Sequence, residues 1–326
     1  MKKISLLFVL AIYCLSGSAQ RMSVPERAAL RLKEDSMKNY ALQIVQGINT
    51  SDRFKADSLF TRTLMRGLVL KHSFQYQFDS LPTISILMAP DSSFRIFTWQ
   101  LAISENMVRH HGVIQMRTPD GSLKRYPLID KTVITSHLHD TVANNFGWIG
   151  AIYYKIILKK ENGRNYYTLL GFDANNIRSD RKIIEVLSFN NDEPIFGGRY
   201  FSFAANEPQS KTPISRYVME YKKDAGPRLS YDPELDMIIV EHLVSESGEP
   251  NKKFTLVGDG DYEGFKWQGG RWVHIEKVFN YVTPLGQEPV PNPIRDNGGN
   301  LMDNKIGDAD DTKPAPAAKP KKKGKE

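Results

Sequence analysis

Cysteine is almost missing from this sequence of 326 residues, in which Cys14 is the only one. Cys14 lies in an N-terminal segment with the pattern of an export signal, so we expect the mature chain to contain no cysteine. Such a chain forms no disulfide, has no cysteine nucleophile and offers no thiolate to a metal ion. Its folded state must be stabilised by apolar burial and hydrogen bonds.

Strong catalytic motifs are absent as well. The sequence has no Gly-x-Ser-x-Gly nucleophile elbow, no His-Glu-x-x-His helix and no phosphate-binding glycine loop. These absences exclude the α/β-hydrolase elbow, the zinc-protease helix and the P-loop. They leave open an acid–base pair of Asp or Glu residues that lie far apart in the sequence.

Long apolar runs are missing except at the N-terminus. There, two lysines precede an apolar stretch from Ile4 to Leu15, and Gly17-Ser18-Ala19 offers a small-x-small cleavage site. The stretch is shorter than the roughly 20 residues that span a bilayer, although an N-terminal anchor is the alternative. Tyr13, directly before Cys14, departs from the small residue of a lipobox. We therefore predict a cleaved, non-lipoprotein signal peptide over residues 1–19, no transmembrane segment after its removal, and a periplasmic or secreted protein.

The net charge of +7 is confined to the two ends of the chain. The signal contributes two lysines, and residues 313–326 hold six lysines against one glutamate, so residues 20–312 are neutral. A neutral body predicts no nucleic-acid partner. The lysine tail would contact anionic surfaces weakly, with salt screening, or serve as a solvated end.

The first mature segment has the pattern of two helices. Ser23 and Glu26 have capping-box spacing before apolar residues at helical period. A second helix is expected from a cap at Ser51 or Asp52. Because the connection is short, residues 20–72 are predicted to form an antiparallel helical hairpin.

The period changes to two residues at Phe74, Tyr76 and Phe78, which predicts a half-buried strand. From there to about residue 281, β-type segments alternate with turn sequences such as Asn162-Gly163. Connections this short join antiparallel neighbours, because a parallel crossover needs about a dozen residues or more.

These patterns predict an α+β fold, predominantly antiparallel β, with the N-terminal helical hairpin packed on a curved or closed β-meander. Residues 73–283 form the β domain, as one unit with the hairpin. Sandwich, barrel-like and propeller-like closures stay open, because local alternation does not fix strand order. Residues 284–326 predict a disordered linker and a tail rich in Lys, Pro and Ala, since they can bury little apolar surface.

Two groups of side chains are metal candidates, although no cofactor is predicted. Four histidines fall within thirty residues: His110, His111, His137 and His139. On an extended strand His137 and His139 share one face and could bind zinc, whereas hydrogen-bonded or surface histidines are the favoured alternative. Asp259, Asp261 and Glu263 alternate among glycines and could bind calcium. A tight turn between two strands is the favoured alternative there.

Three of the four tryptophans are candidates for a binding surface: Trp148, Trp267 and Trp272. Exposed aromatic rings would suit the faces of sugars. Trp148 stands between Gly147 and Gly150, which indicates an exposed corner. Core packing is the alternative for each ring, because strand aromatics are commonly buried.

Four strings resemble those of uncharacterised exported proteins of Gram-negative bacteria, whose signals also end in Ala-Gln: FRIFTW (94–99), IYYK (152–155), YTLLGF (167–172) and DYEGF (261–265). The resemblance spans about residues 25–280. It implies export and a single-domain organisation, and it brings no activity, ligand or site residue.

Three functions remain as hypotheses. The first is a non-enzymatic, envelope-associated binding module for a polymer or protein partner. The second is a hydrolase of envelope or dietary polymers that uses an Asp/Glu acid–base pair. The third is a lipocalin-like carrier of an apolar ligand inside a closed meander.

Overall fold

The structure, a computed structural model, describes residues 22–211 and 214–279. Over these residues the chain forms two α-helices, fifteen strands and several short 3-10 turns. The predicted signal peptide (1–19) and the predicted linker and tail (284–326) lie outside the described residues.

The two helices are α1 (Val24–Gln46) and α2 (Thr50–Leu68). The capping box of α1 is confirmed: the Ser23 hydroxyl accepts from the Glu26 amide (3.3 Å), and the Glu26 carboxylate accepts from the Ser23 amide (2.8 Å). α2 begins earlier than predicted, with Asn49 as its N-cap. Neither helix has the length and apolar character needed to cross a membrane.

The strands form three sheets. In order across the first sheet stand β1 (Ser85–Met88), β2 (Phe94–Ser104), β3 (Met107–Met116) and β4 (Lys124–Ile129). The second runs β5 (Ala143–Asn144), β9 (Glu193–Phe196), β8 (Ser179–Asn190), β7 (Arg164–Asp173) and β6 (Ile152–Glu161), and β11 (Arg216–Lys222) also pairs with β8. The third runs β10 (Phe201–Ser202), β15 (Arg271–Ile275), β14 (Leu256–Gln268), β13 (Met237–Ser245) and β12 (Leu229–Asp232).

Three apolar cores join the helices and the sheets into layers. Phe97 and Trp99 of β2 pack with the helices on one face of the first sheet. Phe94 and Ile96 point the other way, into a core shared with the second sheet. The opposite face of the second sheet, which includes Leu170, packs against the third sheet. The two inner sheets are therefore covered on both faces, which is why β2 is buried along most of its length.

The predicted α+β fold with mainly antiparallel strands is confirmed. One strand pair departs from it, since β10 pairs in parallel with β15. Over the described residues none of the sheets closes on itself, so the closed meander is not observed.

The strand predicted at residues 74–78 is wrong. Ser73–Gln75 form a 3-10 turn instead. The reason is the buried Arg95, whose guanidinium donates to the carbonyls of Ser73 (2.9 Å) and Tyr76. Because these two carbonyls accept from the Arg95 side chain, they are not available for the hydrogen-bond ladder of a strand pair.

Candidate functional site

The first candidate site, the aromatic cleft, lies where β7 and β8 separate. Pairing between these strands ends at Tyr167 and Leu187, although β7 extends back to Arg164 and β8 onward to Asn190. Over these ends β7 remains paired with β6, and β8 pairs with β9. A cleft of about 640 Å³ opens there. Its lining includes Arg164, Asn165, Tyr166, Phe189, Asn190 and Tyr200.

Two aromatic rings, Tyr166 and Tyr200, line one wall of this cleft, and Trp267 contacts Tyr166 beside it. The ring centroids of Tyr166 and Tyr200 are 5.4 Å apart, and those of Tyr166 and Trp267 are 5.7 Å apart. All three side chains are half-buried, so part of each ring pair remains accessible. The indole N–H of Trp267 is buried and finds no acceptor among the described residues.

Gly198 allows Tyr200 to take its place in the wall. Its φ of +140° lies in a region that L side chains rarely adopt, and a Cβ on Gly198 would stand 2.5 Å from Cε2 of Tyr200. The Tyr200 carbonyl accepts from the backbone amide of Trp272 (2.7 Å). The first feature leaves room for the Tyr200 ring, and the second anchors the Tyr200 backbone to β15.

The other wall is anchored in the core between the first and second sheets. The Tyr167 ring packs edge-on against Phe94, with centroids 4.8 Å apart, and near Phe189, with centroids 6.0 Å apart. The Tyr167 hydroxyl is hydrogen-bonded to the Asp91 carboxylate (2.7 Å). The aromatic cleft is therefore preorganised, with rings held by packing and with amide and guanidinium groups at its mouth.

The second candidate site, the His110 cleft, has a volume of about 390 Å³ and collects titratable groups. Nδ1 of His110 lies 3.4 Å from Oδ2 of Asp130, and Nε2 lies 3.7 Å from Oδ1 of Asp173. None of these three side chains is more than 4% exposed. Thr132, Asn175 and the exposed Val133 also line the cleft.

Asp130 is held in place by four contacts around one carboxylate. Burial alone would raise the pKa of Asp130, but the His110 imidazole, the Thr132 hydroxyl and the His110 amide hold it well below its usual range. The two hydrogen bonds from Thr132 measure 2.6 Å and 2.8 Å. Gly150 makes room for the pair, since a Cβ there would lie 2.6 Å from Nδ1 of His110.

Asp259 and Asp261 lie in a β-bulge. β14 runs without interruption through these residues, and Asp259–Asp261 stand opposite the single residue His242 of β13. Gly260, with φ +86°, supplies the left-handed backbone of the bulge. The predicted turn between two strands is therefore wrong, because the chain continues in the same strand.

Glu263 belongs to a row of alternating carboxylates and imidazoles. Nδ1 of His242 lies 2.8 Å from Oδ2 of Asp259, Nε2 of His274 lies 3.1 Å from Oε2 of Glu263, and Nδ1 of His274 lies 2.5 Å from Oε2 of Glu207. Each of these carboxylates faces an imidazole. Oxygens of Asp259 and Glu263 are thus committed to histidines, whereas a calcium site needs them on the cation.

His137 and His139 do not share one face of a strand. Leu138–Asp140 form a 3-10 turn, with His137 as its N-cap, and both histidines are exposed. The predicted zinc face is corrected accordingly, because it required extended backbone. Across residues 22–211 and 214–279 no three His, Asp or Glu side chains are grouped as metal ligands.

Two of the three candidate tryptophans are core residues. Trp148 and Trp272 are fully buried, and their indole N–H groups donate to Tyr153 (2.7 Å) and Thr168 (2.8 Å). The exposed corner predicted for Trp148 is wrong, because neighbouring layers cover that segment. Trp267 alone lies beside the aromatic cleft.

Sequence reasoning missed most residues of both clefts. Tyr166 and Tyr200 are 34 positions apart in the sequence. Both line the aromatic cleft, which opens only because β7 and β8 separate. His110 was noted within the histidine group, but its partners come from two other elements. The Asn162-Gly163 pattern predicted a turn, and Gly163 of this turn lines the aromatic cleft. A turn pattern by itself does not predict a cleft.

In comparisons with known proteins, no protein-family model, curated protein or solved structure matches this chain.

Proposed function

We propose that this chain is an exported, non-enzymatic binding protein of the cell envelope and that its aromatic cleft seats a glycan chain. The observation that carries the proposal is the aromatic cleft between the separating ends of β7 and β8. It combines clustered aromatic rings with amide and guanidinium groups, and its backbone is anchored on both sides.

A glycan suits this lining in two ways. The faces of sugar rings present C–H groups that pack on aromatic rings such as Tyr166 and Tyr200. Sugar hydroxyls both donate and accept, which matches the side-chain amide of Asn190, the amide oxygen of Asn165 and the donors of Arg164. The amide nitrogen of Asn165 itself donates to Asp91 (3.0 Å) and to the Tyr167 hydroxyl (3.2 Å). The cleft is open to solvent along the strand ends, so a polymer can lie across it without threading.

Hydrolysis is the alternative function, and the His110 cleft is the observation in its favour. Asp130 and Asp173 approach the same imidazole, which brings two carboxylates and a histidine, all side chains used in acid–base catalysis, to one place. Both carboxylates are almost fully buried, however, so a substrate has little access to them. The accessible surface of the aromatic cleft favours binding.

The carrier hypothesis has less support. It requires a closed meander around an apolar interior. The three sheets are open over the described residues, and the clefts described above mix polar with apolar groups.

The proposal is tested by titrating the mature protein with a panel of soluble envelope and plant polysaccharides in a calorimeter. A polysaccharide that binds should lose about tenfold in affinity, or about 1.4 kcal/mol, in each of Tyr166→Ala and Tyr200→Ala, because each variant removes one packing ring. Gly198→Ala should also weaken binding, since the new Cβ displaces Tyr200.

Phe146→Ala is the matched control, because Phe146 is 61% exposed and does not line the cleft. It should bind as tightly as the parent protein. Equal affinity of the parent protein and all four variants for a bound polysaccharide would place the glycan elsewhere and contradict the proposal. Failure of the whole panel, with capture of an envelope protein that needs Tyr166 and Tyr200, would favour a protein partner.

A further inference from the structure

The helical hairpin forms an outer layer of the molecule, with one side against the first sheet and the other toward solvent. On α2 the buried side is made by Phe60, Leu64 and Leu68, which have no solvent exposure and belong to the core shared with β2. Arg62 and Arg66 alternate with them at two-residue spacing, about 200° around the helix axis. Both arginines therefore point away from the sheet, and both are exposed.

The outward side of the hairpin combines cations with aliphatic side chains. This surface, the hairpin face, comprises the exposed side chains of Leu32, Lys55, Arg62, Arg66 and Val69. None of its three cations forms an ion pair with a carboxylate of the described residues. Leu32 is 70% exposed and Val69 is 66% exposed. They lie toward the same end of the hairpin, because Gly67 packs on Lys33: a Cβ there would stand 3.6 Å from Cδ of Lys33.

The acidic side chains of the hairpin do not offset these cations. Residues 22–72 contain nine lysines and arginines against five aspartates and glutamates. Two of the five, Glu34 and Asp57, are buried. The other three each accept a hydrogen bond from a residue three positions away: Glu26, Asp35 and Asp52. The hairpin therefore presents an excess of positive charge to solvent, although the chain between residues 20 and 312 is neutral as a whole.

We infer that the hairpin face docks on the surface of an anionic lipid bilayer. Lipid phosphates attract Lys55, Arg62 and Arg66, and the boundary between headgroups and acyl chains accepts Leu32 and Val69. A soluble polyanion would engage the cations but would offer no apolar surface to the two aliphatic side chains. A bilayer therefore matches both components of the face. This inference does not depend on the aromatic cleft.

The test is co-sedimentation of the protein, prepared without residues 1–19, with lipid vesicles. Vesicles of phosphatidylcholine with about one third phosphatidylglycerol present an anionic surface, and pure phosphatidylcholine is the neutral comparison. The protein should sediment with the anionic vesicles only, and added salt should weaken its binding. The double variant Arg62→Gln/Arg66→Gln should partition about tenfold more weakly, because it removes two of the three cations of the face.

Arg228→Gln/Arg271→Gln is the matched control, because it removes two exposed arginines at the third sheet. Its binding should stay close to that of the parent protein. Leu32→Gln/Val69→Gln keeps every charge and should weaken binding severalfold. Tyr166→Ala should bind vesicles like the parent, which separates this test from that of the aromatic cleft.

Three results would overturn the inference. Equal binding to neutral and anionic vesicles would remove the role of the cations. Equal losses in the two double arginine variants, or a loss in neither, would assign binding to overall charge or to the lysine tail. Full binding by Leu32→Gln/Val69→Gln would show that a polyanion is sufficient and that no bilayer interior is contacted.

Discussion

Glu185 and Arg216 form an ion pair that has no solvent exposure. Nη2 of Arg216 lies 2.6 Å from Oε2 of Glu185, and its Nη1 donates to the carbonyl of Leu138 (2.8 Å). The other carboxylate oxygen accepts from the hydroxyl of Tyr153, which in turn accepts from the indole of Trp148. Burial, followed by the charge of Glu185, raises the pKa of Tyr153 well above its usual value, so Tyr153 remains a donor.

Removing one partner of this pair should be costly. Arg216→Met leaves the Glu185 carboxylate buried without its cation, and we expect a loss of about 3–5 kcal/mol in the free energy of unfolding. The double variant with Glu185→Leu should be less destabilised than the sum of the two single variants, because no charge is stranded. Urea denaturation measures all three.

Arg199→Met is the control for the loss of an arginine, since its pair with Asp140 is more than half exposed. It should change stability by less than about 1 kcal/mol. An Arg216→Met protein as stable as this control would contradict the importance of the buried pair.

At the scale of elements, His274 connects a loop to the third sheet. It lies on β15, and its ring joins Glu207, in the segment after β10, to Glu263 on β14. Nε2 of His242 on β13 lies 3.9 Å from the other carboxylate oxygen of Glu263, Oε1. The charge of Glu263, after burial, also raises the pKa of Tyr217 on β11. Burial would lower the pKa of His274, but the hydrogen bond to Glu263 and the charge of Glu207 outweigh it, and the pKa is raised.

A raised pKa fixes the sign of the pH dependence. The protonated His274 stabilises the fold fully below the unfolded-state pKa of about 6.5, and this contribution disappears as the pH rises through the higher folded-state pKa. In urea denaturation, the stability advantage of the parent protein over His274→Gln should therefore be largest below about pH 6.5 and shrink as the pH rises above it. His137→Gln, at an exposed side chain outside this cluster, is the control. An advantage that stays constant or grows with pH would contradict the raised pKa.

The failed strand at residues 74–78 shows what a local pattern omits. Alternation at two-residue spacing indicates a buried face, but a β-strand also requires a partner strand. Here the rings of Phe74 and Phe78 lie 5.6 Å and 5.0 Å from the Arg95 guanidinium carbon. The carbonyl of Tyr76, between them, and that of Ser73, just before them, accept from that guanidinium. The alternating aromatic residues do form a packing face, as predicted, but this face packs on the guanidinium of Arg95 from β2 and not on a partner strand.

At the scale of the whole molecule, the sequence predicted element types better than their arrangement. Capping chemistry and short turns identify the hairpin and the antiparallel strands because those signals are local. The stacking of three sheets and the parallel β10–β15 pair depend on contacts between distant segments, which no local period records. The aromatic cleft depends on the early end of the β7–β8 ladder, so its residues could not be foreseen, apart from Trp267 beside it.

The most direct test of the central claim is an amide NMR titration of the protein, prepared without residues 1–19, with the oligosaccharide that binds most tightly. The account predicts that signals of residues 163–167 and 188–190, which lie on the two separating strand ends, shift together with increasing ligand. The Tyr200 amide signal should shift with them, because the Tyr200 ring lines the same cleft beside Tyr166. Shifts confined to residues outside the aromatic cleft would contradict the proposal that this cleft seats the glycan.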